Sequence, residues 1–199
     1  MTGTERELAM DEFPAYAALW ARFSSESALS ATQQTALLSD YYFDGDRQIA
    51  PRYYQRIAID RTVAAISGGQ QRVLLVMATG TGKTYTAFQI IWRLMKNKLK
   101  KRVLYLADRN ILIDQTIQND FRPFKNGITK VENKTLDSSY EIYMSLYQQL
   151  AGEEGSEPFR QFQPGFFDLI VVDECHRGSA REESQWRKVL DYFSSATHL

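Results

Sequence analysis

The residues Ala78-Thr79-Gly80-Thr81-Gly82-Lys83-Thr84 place two glycines, a lysine and three hydroxyls directly after the apolar run Val73–Met77. A glycine-rich turn between a buried strand and a helix N-terminus lets backbone N–H groups converge on an anion. The helix dipole adds favourable potential at the same point. Thr79, Gly80, Thr81 and Gly82 would then cradle phosphates, Lys83 would reach the β- and γ-phosphates as a point charge, and the Thr84 hydroxyl would ligate Mg²⁺. The strict form of this pattern begins with glycine, where this chain has Met77. Further along, Phe167–Val172 is a nearly continuous apolar run that delivers Asp173-Glu174-Cys175-His176 at its end. Such a run suits a strand buried on both faces of a parallel sheet, and ligands of open α/β sheets bind at that strand end. Asp173 would hold Mg²⁺ directly or through water, and Glu174 would polarise the attacking water in phosphoryl transfer. The chemistry implied is ATP binding and hydrolysis with Mg²⁺.

Those groups need a scaffold. The pattern predicts a polar lead-in over residues 1–43, with Phe13, Ala17, Leu19, Trp20 and Phe23 at helical spacing and a short helix over Ala31–Leu38. Asp44-Gly45-Asp46 is a turn signal, after which helix and strand alternate through residues 44–199. Helices are expected over Arg52–Ile66, Lys83–Lys96, Ile111–Phe121 and Glu182–Phe193. Strands are expected over Arg72–Met77, Arg102–Ala107, Glu141–Met144 and Phe167–Val172, with Ile128–Val131 a short strand or loop edge. A helical turn or more should run to Leu150, followed by a flexible Gly-, Glu- and Pro-rich insertion over Gly152–Pro164. Such alternation requires an α/β fold, a mostly parallel sheet with helices on both faces.

Composition narrows the alternatives. A chain of 199 residues can bury a substantial core, and no apolar stretch approaches the length of a membrane span. The N-terminal residues are too polar for a signal peptide, and the single Cys175 excludes an internal disulfide, which fits a reducing cytoplasm. With only His176 and His198 beside it there is no zinc-ligand cluster, and no base is placed to make Cys175 a nucleophile. Lys and Arg number 24 and so do Asp and Glu, so no global field draws nucleic acid. The one basic run, Lys96–Arg102, reads as a solvated connection at a helix C-terminus.

Three other segments fit the same scaffold. Pro51-Arg52-Tyr53-Tyr54-Gln55 opens the helix before the cradle strand. The Gln55 amide can donate to and accept from an adenine edge, and Tyr53 or Tyr54 can pack on the base. Ala107-Asp108-Arg109 and Ser145-Leu146-Tyr147-Gln148 follow predicted strands on the cradle side of the sheet. Arg109, Gln115, Ser145 and Gln148 would there touch a nucleic-acid backbone or cap helices.

In order, Pro-Arg-Tyr-Tyr-Gln, Met-Ala-Thr-Gly-Thr-Gly-Lys-Thr, Tyr-Leu-Ala-Asp-Arg-Asn-Ile-Leu-Ile-Asp-Gln, Ser-Leu-Tyr-Gln and Val-Val-Asp-Glu-Cys-His-Arg-Gly resemble the motor of type I restriction endonuclease R subunits, which are superfamily 2 double-stranded DNA translocases. The resemblance runs from about Asp44 to the end. It implies the first RecA-like P-loop lobe of such a motor, with Gln55 reading adenine and His176 coupling nucleotide state to the rest of the motor. Type III restriction motors are similar but tend to have proline where this chain has Cys175. The resemblance also implies a nuclease domain and a second RecA-like lobe with arginine fingers in the full-length protein, and modification and specificity subunits as partners. Ser195-Ala196-Thr197 is not expected to be the family's Thr-Ala-Thr coupling motif, so the chain reads as a first-lobe fragment ending short of it. Alternatives are a lobe of another superfamily 2 helicase (type III restriction, DNA repair or RNA) and, from another class, a stand-alone P-loop kinase or nucleotide-gated interaction module. Asp-Glu-Cys-His argues against the last, because a small-molecule kinase has no use for a water-activating Glu beside the Mg²⁺ aspartate.

Overall fold

The computed structural model describes residues 9–43, 50–107, 113, 116–124, 126–131, 139–152, 156–173 and 187–199. Among these, five strands form one sheet: β1 (Val103–Ala107), β2 (Ile128–Lys130), β3 (Ile142–Leu146), β4 (Leu169–Val172) and β5 (Thr197–His198). Their order is β2-β3-β1-β4-β5 and every pairing is parallel. The helices are α1 (Tyr16–Glu26), α2 (Ala31–Leu38), α3 (Tyr53–Ser67), α4 (Lys83–Lys96) and α5 (Tyr147–Ala151). Residues 187–192 are also helical.

Strand β1 explains the layering. All five of its residues are buried, so both faces must be covered. Val103, Tyr105 and Ala107 pack with Ile59, Val63, Phe88 and Ile91 of α3 and α4. Leu104 and Leu106 pack on the opposite face with Phe159, Val189 and Phe193. Helix α3 ends at Gly68, and Gly69 takes a positive φ of 88° that turns the chain towards the cradle segment.

Three expectations change. The stretch 73–77 keeps the strand's alternation, Val73 and Leu75 packing on the core while Leu74 and Val76 are 74% and 89% exposed. It is not a strand, because its pairing is a single Arg72–His198 bridge, made by Val73 N–H to the His198 carbonyl at 2.9 Å and His198 N–H to the Gln71 carbonyl at 2.8 Å. β5 is only two residues long, so residues 74–77 have no neighbouring strand among the described residues. Second, β5 itself was not anticipated; it lies parallel to β4, with Leu169 opposite Thr197. Third, the supposed flexible insertion is anchored where described: Pro158–Gln161 forms a 3-10 turn, and Phe159 and Phe162 are buried. Phe162 stacks on Phe166 at 4.5 Å and meets Tyr143 edge-on at 5.3 Å, so aromatic burial overrides the polar composition.

The lead-in divides in two. On α1 only Ser24 is buried, and Phe13, Tyr16 and Phe23 remain exposed. Helix α2 is capped by a Ser30–Gln33 capping box and sends Ala36 into the α3–α4 core, where Tyr41 and Tyr42 follow. Gln89 of α4 then clamps Tyr42 at both backbone groups: its Oε1 accepts from Tyr42 N–H at 2.8 Å and its Nε2 donates to the Tyr42 carbonyl at 2.9 Å.

Candidate nucleotide site

The cradle closes on itself before it meets any ligand. Thr81 N–H and Thr81 Oγ1 both donate to the Ala78 carbonyl, at 3.3 and 2.6 Å. Gly80 and Gly82 have φ of 80° and 81°, a left-handed conformation that side chains with a Cβ rarely adopt. A Cβ at Gly80 would meet nothing within 4 Å, which leaves open space over the turn. At Gly82 it would come to 2.5 Å from Gln55 Nε2. The first glycine thus keeps room for an anion, and the second allows α3 to approach the loop. Gly82 is the N-cap of α4, whose first turn begins with Lys83 and Thr84.

Helix α3 supports the loop from behind. Gln55, 6% exposed, accepts from Arg52 N–H at 2.8 Å and donates through Nε2 to the Thr81 carbonyl at 2.8 Å. The Tyr54 hydroxyl lies 3.4 Å from the same carbonyl. Both residues expected near a nucleotide base are therefore brought to the cradle. The Gln55 amide has two donor hydrogens and two acceptor pairs, and the chain engages one of each.

Across the sheet, Asp173 follows β4 and its N–H donates to the Leu106 carbonyl at 2.9 Å, which fixes the carboxylate at the C-terminal strand ends. Its Oδ2 accepts from the Tyr105 hydroxyl at 2.9 Å. Thr84, the other expected Mg²⁺ residue, sits beside Lys83 in the first turn of α4. Complete burial, then the neighbouring Asp173 charge, push the Tyr105 hydroxyl well above its ordinary pKa, so it is a neutral donor. Hydroxyl and carboxylate oxygens are the hard donors Mg²⁺ takes, and a lysine with an N-terminal glycine turn suits a polyphosphate, so the residues fit both groups. Thr84 and Asp173 would hold the cation; bound Mg²⁺ would supply charge neutralisation on the phosphates.

A cavity of about 960 Å³ opens beside the site, between residues 72–79, the end of β4, the 187–191 helical stretch and His198–Leu199. Thr79, Lys83 and Asp173 form one end of it, but Tyr54 and Gln55 do not line it.

Glu174, His176, Arg109 and Gln115 lie outside the described residues. Ser145 is fully buried with its hydroxyl donated to the Leu146 carbonyl at 3.0 Å, where it braces the β3–α5 turn. Gln148 lies in α5 and is half-buried, its Oε1 inward without a partner among the described residues. The residue the sequence left unassigned is Tyr105. Its signal was a lone phenol in an aliphatic strand, since a buried hydroxyl must find a partner.

Comparison with known proteins agrees with this geometry. The chain is 58% identical, over 98% of its length, to the type I restriction enzyme EcoAI endonuclease subunit of Escherichia coli, of which it spans 24%. The UvsW helicase of bacteriophage T4 superposes with a TM-score of 0.62 over 91% of this chain and 67% of that one, at 16% identity. A nuclease-deletion mutant of the Type ISP restriction-modification enzyme LlaGI, in complex with a DNA substrate mimic, gives 0.55 over 76% of this chain and 17% of that one, at 23% identity. These two likenesses establish the RecA-like helicase-lobe fold. The family described as "Type III restriction enzyme, res subunit" matches residues 48–199, which include α3, the cradle, Asp173 and β5, and the chain belongs to that family.

Proposed function

We propose that this chain is the ATP-binding lobe of an ATP-dependent double-stranded DNA translocase of a type I restriction-modification enzyme. The observation that carries the reading is that Thr79 and Lys83 of the glycine cradle and Asp173, held by Tyr105, line one cavity at the C-terminal edge of a parallel sheet. Lys83 neutralises phosphate charge, Thr84 and Asp173 hold Mg²⁺, Glu174 orients the attacking water, and His176 relays nucleotide state. Tyr54 and Gln55 take the base side of the nucleotide. Residues 44–199 form the lobe and 1–43 the lead-in. A second RecA-like lobe, a nuclease domain, and modification and specificity subunits complete the working enzyme, with double-stranded DNA as its track and the cytoplasm as its compartment. Among the described residues no helix is long and apolar enough to cross a membrane.

Arginine fingers from a second lobe are worth on the order of a thousandfold or more in phosphoryl transfer, so this lobe alone should bind ATP and hydrolyse it very slowly. ATP binding and turnover with and without linear double-stranded DNA, beside a Lys83→Ala control, test this. Lys83-dependent binding with near-background turnover in both conditions is expected. Robust turnover that depends on Lys83 and Glu174 would mean the site is complete here and sink the half-motor reading.

A further inference from the structure

Tyr105 stands opposite Val171 in the β1–β4 register, and Asp173 lies two residues further along β4's path. Residues two apart along a strand share a face, and here they are separated by roughly 6.6 Å, a span that a tyrosine side chain covers lengthwise. That face is the one packed against α4. The ring is fixed by its own packing, 2% exposed and edge-on to Phe121 at 5.7 Å. A hydroxyl on so rigid a ring has a direction set by the core. It donates to Asp173 Oδ2 at 2.9 Å.

We infer that Tyr105 is a positioning residue for the cation site: its hydroxyl holds one oxygen of Asp173 and orients that carboxylate without touching cation or nucleotide. The inference rests on the proposed nucleotide reading. A carboxylate fixed by one oxygen cannot swing away from the strand end. Outer-shell hydrogen bonds of this kind set the affinity of the ligands they orient. A tyrosine that merely fills the core would contribute through its ring, and phenylalanine would replace it without consequence for the cation.

The test is equilibrium binding of a fluorescent ATP analogue to this chain and to Tyr105→Phe, in EDTA and across a Mg²⁺ titration. The expected result is EDTA affinity within about twofold of the parent, with the Mg²⁺ half-saturation raised about tenfold, the low end for a lost outer-shell partner. An unchanged Mg²⁺ response overturns the inference, as does an equal loss in EDTA, which would mark a packing role. No Mg²⁺-dependent binding by the parent chain would overturn the nucleotide reading and the inference with it. A second measurement needs no variant. The buried Tyr105 hydroxyl proton should exchange slowly enough for NMR and should shift with Mg²⁺ and nucleotide together, but not with nucleotide in EDTA. A resonance that ignores Mg²⁺ overturns the inference even if Tyr105→Phe fails to fold.

Discussion

Gly82 shows how much of the cradle depends on one missing carbon. Its φ of 81° and the 2.5 Å approach of Gln55 Nε2 both exclude a Cβ. Gly82→Ala should lose about 1–2 kcal/mol to left-handed backbone strain, and it should also push Gln55 off the Thr81 carbonyl. Denaturant unfolding would measure the first effect. A fall in ATP-analogue affinity larger than that strain explains would measure the second. Affinity unchanged by the substitution would mean that α3 does not support the loop. At this scale the sequence was most informative: Thr79 to Thr84 are contiguous, so the tight glycine turn at the start of α4 was readable from their types and spacing. Gln55 was legible as a polar residue near the site. Its hold on Thr81 was not, because that bond depends on where α3 crosses the loop.

Between elements, side chains from one helix hold the backbone of another segment. Gln89 spends its amide on both polar groups of Tyr42, joining the lead-in to the lobe. Tyr42 also packs edge-on to Phe88 and Trp92, at 5.4 and 4.6 Å. Gln89→Leu keeps a side chain of similar reach while leaving those two backbone groups without their partners, each worth about 1–3 kcal/mol when buried and unsatisfied. Thermal unfolding should shift downward, and limited proteolysis should cut sooner beside Tyr42. An unmoved melting temperature would mean that water replaces the clamp at no cost. Helices α3 and α4 were readable from apolar periodicity and punctuation such as Gly68-Gly69 to within a residue at their ends. The 3-10 turn at Pro158–Gln161 was not, since its Gly and Glu neighbours suggested a loop while Phe159 and Phe162 found partners only through the tertiary fold.

For the molecule as a whole, β5 is the junction between the cradle segment and the rest of the sheet, and it contains a titratable group. His198 is 9% exposed, and burial lowers its pKa. Arg72 acts in the same direction, while the Phe193 carbonyl, 3.4 Å from Nε2, and Asp191 oppose it. The fold therefore favours the neutral ring. Its contribution to stability is complete above the unfolded value of about 6.5 and is lost as pH falls through the lower folded value. Denaturation midpoints measured from pH 8 down to pH 5 should decline over that window, and His198→Asn should flatten the decline. An equally steep decline in the variant would assign the dependence to other groups. Little of this was legible in the sequence, where Thr197-His198 are two residues without strand periodicity.

The bridge between Arg72 and His198 joins positions at nearly opposite ends of the described lobe. Closing so long a loop is slow, and its entropy must be met before the contact can contribute. On a ribosome, then, the segment leading into Gly80–Thr84 emerges early but acquires its sheet neighbour only after β5 has been synthesised and has found β4. The cradle is thus encoded well before the strand that pairs with the segment leading into it.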